Sequence, residues 1–495
     1  MNSLLGSNPS ANRTVMSSVW ILLCATVCLQ VLVQLVHVSM FFDGGIYATV
    51  GMHLAAGKGS IWAPHFSETL FPTFAEHPPL MMWLLAIGYT IFGDSIAVEK
   101  GFSLLTFLVS AALLFQIWMR LNKDDIQMQR AFPLALLLTL IAGRVNWGFA
   151  NGLLENLLSV FSLTAVLLFV IAYDRPTPIL SKRRLALVAV AGLAICCSLL
   201  TKGPVGLFPL AAPAIHWLVF RKSPFMAMVL DIAIILVIIG LFLTFLYGFD
   251  ASRDAVDRYL AAQLLSSLRG DRGSYGGGLY VFRKILGVNG YSLAIVAITA
   301  FAGWHFKLGK SEIGARSKRF KRAAFLLIIG ISASVPISLS PRVANFYFNP
   351  SLLFYSPGFA ILAAPVIMDG LSRLRERQAK VLRVGSLFAL AVSIAAVIAS
   401  IGRLGADART IEQAAAIESF VCTDMTPCKP SLSACEGSWQ DWALHTYLQR
   451  FYTISIAKAA DVQADYLIAD GSCNNLAGYD ETGINILPYR LLQRQ

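Results

Sequence analysis

FFDGGIYATVGMHLAAGKGSIWAPHFSETLFPTFAEHPPLMMW, residues 41–83, decides how the rest of the chain is read. It follows a long apolar run and carries Asp43, Tyr47, His53, Lys58, His65, Glu76, His77 and the pair Pro78-Pro79. Around this polar island the chain is mostly hydrocarbon: of 495 residues 56% are hydrophobic and 14% charged. That balance excludes an ordinary soluble globular protein and fits a polytopic membrane protein. The formal net charge of +12 does not point to nucleic acid, because no basic stripe with interleaved aromatics is present. Lys and Arg collect instead in short loops, as they do on the cytoplasmic side of membrane proteins.

Outward from the island, apolar runs able to cross a bilayer lie at 17–40, 99–119, 131–149, 153–172, 185–200, 204–220, 226–248, 286–306, 323–340, 351–368 and 384–401. The first lacks a small-residue cleavage site and reads as a retained helix. Loops 119–130, 173–184, 221–223, 307–322 and 373–383 are rich in Lys and Arg, which assigns them to the cytoplasm. Threading the spans then puts the N-terminus inside. Residues 41–98, 151–155, 201–203, 250–284, 341–350 and the tail from about 403 fall outside. Leu80 to Phe92 is apolar but too short to cross, so it reads as an interfacial or re-entrant helix.

The expected fold is therefore a polytopic α-helical membrane protein of about 11–13 transmembrane helices over 1–402, followed by a small α/β domain over 403–495. In that tail, 464–471 reads as a buried strand ending in a turn, and 442–451 as a helix or a lead-in to a strand. Cys422, Cys428, Cys435 and Cys473 lie in the polar tail, without a C-x-x-C pair, and read as two disulfides in an oxidising compartment. Their spacing leaves the pairing open. Cys24, Cys28, Cys196 and Cys197 lie in apolar runs and read as inert.

Asp43, Glu76, His77, Glu155, Lys202, Arg258, Arg269 and Arg342 come from separate places in the chain, yet this topology puts all of them at the outer rim of the bilayer. Snorkelling accounts for a single long cation, but carboxylates at helix edges call for a function. The residue types suit one chemistry. Cations hold a phosphate, and a carboxylate takes the proton of an incoming hydroxyl or amine. Glu76 and His77 are candidate ligands for a divalent metal ion, reachable together only from the extended backbone that Pro78 favours. After a polar helical pattern beginning at Asp250, the glycines between 270 and 278 read either as a solvated turn or as a mobile lid.

The motifs resemble those of the GT-C glycosyltransferases, in the branch of the protein O-mannosyltransferases and the lipid A aminoarabinose transferases. Asp43-Gly44-Gly45-Ile46-Tyr47-Ala48 resembles the acidic first-loop motif, and Glu76-His77-Pro78-Pro79-Leu80 the His-Pro-Pro-Leu and Glu-Lys-Pro-Pro motifs. Leu154-Glu155-Asn156 stands where the family has a second-loop acid, and Thr201-Lys202-Gly203-Pro204 matches its Thr-Lys-Gly. Arg342 and Tyr347 before Pro350 resemble its late basic and tyrosine motif. The likeness runs from about 17 to 370.

The resemblance implies an inverting, polyprenyl-phosphate-dependent transferase of the bacterial inner membrane, with its active site on the periplasmic side. Asp43 would be the base that activates the acceptor or orients it, and Glu155 would assist or help hold a metal. Tyr47, Glu76, His77, Lys202, Arg269, Arg342 and Tyr347 would bind substrate. The acceptor would be a lipid, a glycan or a protein, and the contacts otherwise membrane lipids. Gly44 departs from the family's second acid, and His77 stands where the aminoarabinose enzymes have Lys. A transporter or flippase of a lipid-linked sugar is the alternative. It would use the same cations but need no base.

Overall fold

The computed structural model describes residues 9–174, 178–266, 278–310, 312–339, 343–423, 428–473 and 476–495. The chain divides into two compact units. A helical unit gathers Met1–Leu35, Ser103–Ala150 and Leu154–Ile401. A mixed unit joins Val36–Phe102 and Asn151–Leu153 to Gly402–Gln495.

Among the described residues, eight helical stretches are long and apolar enough to cross a membrane: Ser10–Leu35, Ile96–Leu121, Leu154–Ala172, Lys182–Phe220, Phe225–Tyr247, Ile313–Ser338, Asn345–Ser372 and Glu376–Ser400. A ninth arises if Tyr280–Val288 and Gly290–His305, bent by 60°, form one span. With Leu236, Leu241, Phe388 and Ile398 among many large apolar side chains left exposed, these helices need a hydrocarbon solvent. The protein is a multi-pass membrane protein.

Four expected spans, 131–149, 185–200, 204–220 and 286–306, take a different local form. Residues 131–149 are two short helices, Phe132–Ile141 and Val145–Ala150, broken where Gly143 adopts φ +52°. The 39-residue stretch Lys182–Phe220 leaves the α form at Gly203, φ +68°. There the chain doubles back, because a Cβ on Gly206 would lie 2.6 Å from the Ser198 carbonyl oxygen. The 286–306 run begins earlier, at Gly278, and bends at Asn289.

Within the helical unit the Leu154–Ala172 and Asn345–Ser372 stretches are the most buried. Small residues let Asn349–Ser372 approach Ile313–Ser334 closely: a Cβ on Gly330 would strike the Tyr355 ring at 2.7 Å, and one on Gly358 would strike Leu327 at 2.9 Å. One end of the unit collects the basic loops. Arg319 donates to Asp125 at 2.9 Å, Arg322 pairs with Asp124, and Lys123 pairs with Asp174. The loops 119–130, 173–184 and 307–322 thus share one face.

The mixed unit holds a five-stranded sheet of β1 (Leu432–Ala434), β2 (Ala457–Lys458), β3 (Tyr466–Ala469), β4 (Tyr479–Ile486) and β5 (Tyr489–Arg494). Their order is β2-β1-β3-β5-β4, parallel on the β1 side and antiparallel around β5. The helices Ala408–Val421 and Trp442–Tyr452 cover it through a core that includes Ile417, Leu444, Leu448 and Ile468. Cys422 pairs with Cys428 and Cys435 with Cys473. Backbone bonds Val38 N–H to Arg403 O and Ser39 N–H to Leu404 O, both 2.9 Å, join the segment leaving the first span to the segment leaving the last. Both spans therefore end on the same side.

Candidate functional site

In the mixed unit the helix Phe42–Ala55 starts after an extended Phe41. Asp43 sits in its first turn, where free backbone N–H groups attract negative charge. One turn on, Tyr47 lies on the same side of the helix, 5% exposed, with its ring edge-on to His77 at 5.7 Å and to Phe74 at 6.4 Å. Glu76 and His77 are half-buried in a non-helical segment, as Pro78 requires. Asp43, Tyr47 and His77 thus belong to one cluster. Among the described residues no group of three or more His, Cys, Asp or Glu side chains is placed to hold a metal ion, so Glu76 and His77 have no third ligand of that kind.

The structure leaves Gly44 no room for a side chain. A Cβ there would collide with the Asn151 carbonyl oxygen, and one on Gly45 with Thr446. The two glycines let the Asp43 helix lie against the 151–153 segment and the Trp442–Tyr452 helix. That tail helix also fixes the approach to Asp43. The Tyr447 hydroxyl accepts from the Met40 N–H at 3.1 Å and donates to Asp407 at 2.7 Å. Phe41 N–H donates to Asn151 Oδ1 at 2.7 Å. Thr69 Oγ1 donates to the Ile456 carbonyl at 2.6 Å, and Phe71 stacks on Trp442 at 5.9 Å. Arg450, 7% exposed, donates to both oxygens of Glu99 at 3.1 and 3.2 Å and to Asp94 at 2.8 Å. Tyr89 donates to the same Glu99.

In the helical unit Glu155 lies in the first turn of Leu154–Ala172, 2% exposed, and forms an ion pair with Lys202. The Lys202 ammonium also sits 4.7 Å from the Tyr347 ring centre. Each residue of the Thr-Lys-Gly motif has a task. Thr201 caps its own helix turn with a 2.8 Å bond to Cys197 O, Lys202 carries the charge, and Gly203 makes the reversal, with Tyr259 packed where a Cβ would go. Asn156 donates to Gly148 O at 2.9 Å, near the end of the short helix Val145–Ala150, and Asn349 donates to the Arg144 carbonyl at 3.2 Å.

Of the expected site residues, then, Asp43, Tyr47, Glu76 and His77 fall in one unit and Glu155, Lys202 and Tyr347 in the other. Arg269, Arg342 and the glycines from 270 to 277 lie outside the described residues. Sequence reasoning passed over Tyr447 and Arg450, which carry no motif. It also passed over Arg144, whose signal was a Gly-Arg pair interrupting an apolar run.

No protein-family model matches the chain. It is 24% identical over 361 residues to undecaprenyl phosphate-alpha-4-amino-4-deoxy-L-arabinose arabinosyl transferase 2 of Pseudomonas fluorescens. That match covers 71% of this chain but only 56% of the relative's length. Among solved structures, ArnT from Cupriavidus metallidurans superposes with a TM-score of 0.64 at 15% identity, covering 96% of this chain and 97% of that one. Its complex with undecaprenyl phosphate gives 0.63 at 15%, covering 98% of each. The Archaeoglobus fulgidus oligosaccharyltransferase in the apo form gives 0.56 at 12%, covering 92% of this chain and 69% of that one.

The chain has the fold of ArnT from Cupriavidus metallidurans.

Within that fold the two acidic motifs stand at helix starts, Asp43 in Phe42–Ala55 and Glu155 in Leu154–Ala172. The second is neutralised by Lys202.

Proposed function

We propose that this chain is a membrane glycosyltransferase that moves a sugar from a polyprenyl-phosphate donor to an acceptor, with inversion. The observation that carries the proposal is the agreement, over 98% of the chain, with a transferase fold solved with undecaprenyl phosphate bound, together with Asp43 at a helix start beside Tyr47 and His77. In the reaction Asp43 accepts the proton of the acceptor hydroxyl or amine, whose lone pair forms the new bond to the sugar's anomeric carbon. The bond from that carbon to the phosphate oxygen breaks, and polyprenyl phosphate leaves with the electron pair. Lys202 and Tyr347, with Arg269 and Arg342, bind the phosphate and stabilise its growing charge. Glu155 holds Lys202 in position, leaving two of the three ammonium protons for other acceptors.

We place the protein in a bacterial inner membrane, with residues 403–495 and Asp43 on the periplasmic side. Two disulfides in the tail and the basic loops gathered at one end of the helical unit support that orientation. The named fold relatives are transferases, which favours transfer over carriage of the lipid-linked sugar. The test is reconstitution in liposomes with polyprenyl-phosphate sugar and an envelope-lipid acceptor fraction. The expected result is one polyprenyl phosphate released per sugar bound to acceptor. Sugar–lipid crossing the bilayer with no acceptor modified would point to a carrier.

A further inference from the structure

The helical unit contains a cavity of about 560 Å³ lined by Arg144, Tyr280, Arg283, Lys284, Tyr291 and Asn345, with no carboxylate in its wall among the described residues. Two helix interruptions build it. Gly143-Arg144 lies in the break between Phe132–Ile141 and Val145–Ala150. Tyr280 to Tyr291 flank the 60° bend at Asn289. In a membrane protein such irregular backbone is tolerated where it lines a cavity or site. Two of its three cations are held by neutral groups. Lys284 donates to Asn345 Oδ1 at 2.9 Å and lies 5.3 Å from the Tyr280 ring centre, while Arg144 lies 5.1 Å from that of Trp147. Among the described residues none of the three is recorded in an ion pair.

Three like charges around one cavity repel one another until an anion enters. Arg184, Arg319, Arg322 and Lys202, all largely buried in the same unit, have carboxylate partners, unlike the cations of this wall. Asn345 stands two residues before Tyr347, whose ring covers Lys202, so the cavity borders the proposed donor-phosphate residues and, among the described residues, shares none of them.

We infer that this cavity is a second anion site, which takes a phosphate-bearing headgroup. Arg144 and Arg283 supply planar donor forks suited to phosphate oxygens, and Lys284 a point charge. The volume admits a headgroup larger than a bare phosphate ion. The inference concerns binding alone and holds whether or not Asp43 acts as a base.

Native mass spectrometry of the full-length protein in detergent tests it, with phosphatidic acid, phosphatidylcholine and inorganic phosphate as probes. The wild type is expected to retain one more phosphatidic acid than Arg144→Gln/Arg283→Gln/Lys284→Gln, and equal phosphatidylcholine. Affinity at that site should fall at least tenfold in the triple variant and should weaken with salt. Arg144→Lys/Arg283→Lys/Lys284→Arg should keep it. Should the triple variant fail to fold, Arg283→Gln alone, at an exposed position, is expected to lose threefold or more. Displacement by inorganic phosphate would identify the phosphate group as the sufficient ligand, and resistance to it a lipid headgroup; either outcome upholds an anion site. Equal phosphatidic acid retention in wild type and charge-neutral variants would overturn it.

Discussion

At the scale of single residues, the second acidic motif is tied to one cation. Glu155 is sealed against Lys202, and removing one member of a buried ion pair leaves the other charged and unsolvated, at a cost of about 3–5 kcal/mol. Lys202→Met is therefore expected to lower the unfolding midpoint sharply in a thermal scan, and Glu155→Gln/Lys202→Met to recover most of that loss. If Lys202 also binds the donor phosphate, the double variant regains stability without regaining transfer. Recovery of both would reduce the pair to a structural brace. Gly44 gives a second test. Its missing Cβ is the space taken by the Asn151 carbonyl, so Gly44→Ala should destabilise by about 1–3 kcal/mol or more through overpacking. An unshifted unfolding midpoint would mean that the segment relaxes freely.

At the scale of elements, the Trp442–Tyr452 helix is the part whose role the sequence concealed. Its Tyr447 and Arg450 reach residues some 350 to 407 positions away, and nothing in a local pattern announces a contact at that separation. Spans such as Ile96–Leu121 and Glu376–Ser400 were legible, because about 20 apolar residues have few alternatives in a bilayer. So were β3 and the short helix Leu80–Phe92. The breaks at Gly143 and Asn289 were not, because hydropathy averages over a window wider than the interruption. The motif residues Asp43, Glu155 and Lys202 could be read from charge set against hydrocarbon, whereas the pairing of Glu155 with Lys202 needed the fold. Tyr447→Phe should cost about 1–3 kcal/mol by leaving the Met40 N–H without its acceptor. Faster amide exchange at 38–47 with the rest of the chain unchanged is the expected signature. Uniform exchange would show that Tyr447 does not anchor the Asp43 helix.

At the scale of the whole molecule, buried histidines make the mixed unit sensitive to acid. His445 and His53 are each pulled down to about 4, by burial above all, with Lys58 the next cause at His53. Both folded values lie below the unfolded 6.5, so between about pH 6.5 and 4 the unfolded chain binds more protons. Stability should be full above pH 6.5 and fall as the pH drops through that window, by up to about 1.4 kcal/mol per unit for each histidine. His445→Gln should flatten the slope of the unfolding midpoint against pH; an identical slope would assign the acid sensitivity to other groups. Orientation is checked by labelling intact cells with an impermeant maleimide. Glu412→Cys should react at once and Arg377→Cys only after permeabilisation, and the reverse order would invert the topology. The proposal that the molecule transfers a sugar rests most directly on Asp43. In the reconstituted assay Asp43→Asn should keep the wild-type unfolding midpoint and donor retention while transfer falls by about 10²–10⁴-fold. Transfer at the wild-type rate by a folded Asp43→Asn protein would contradict the account.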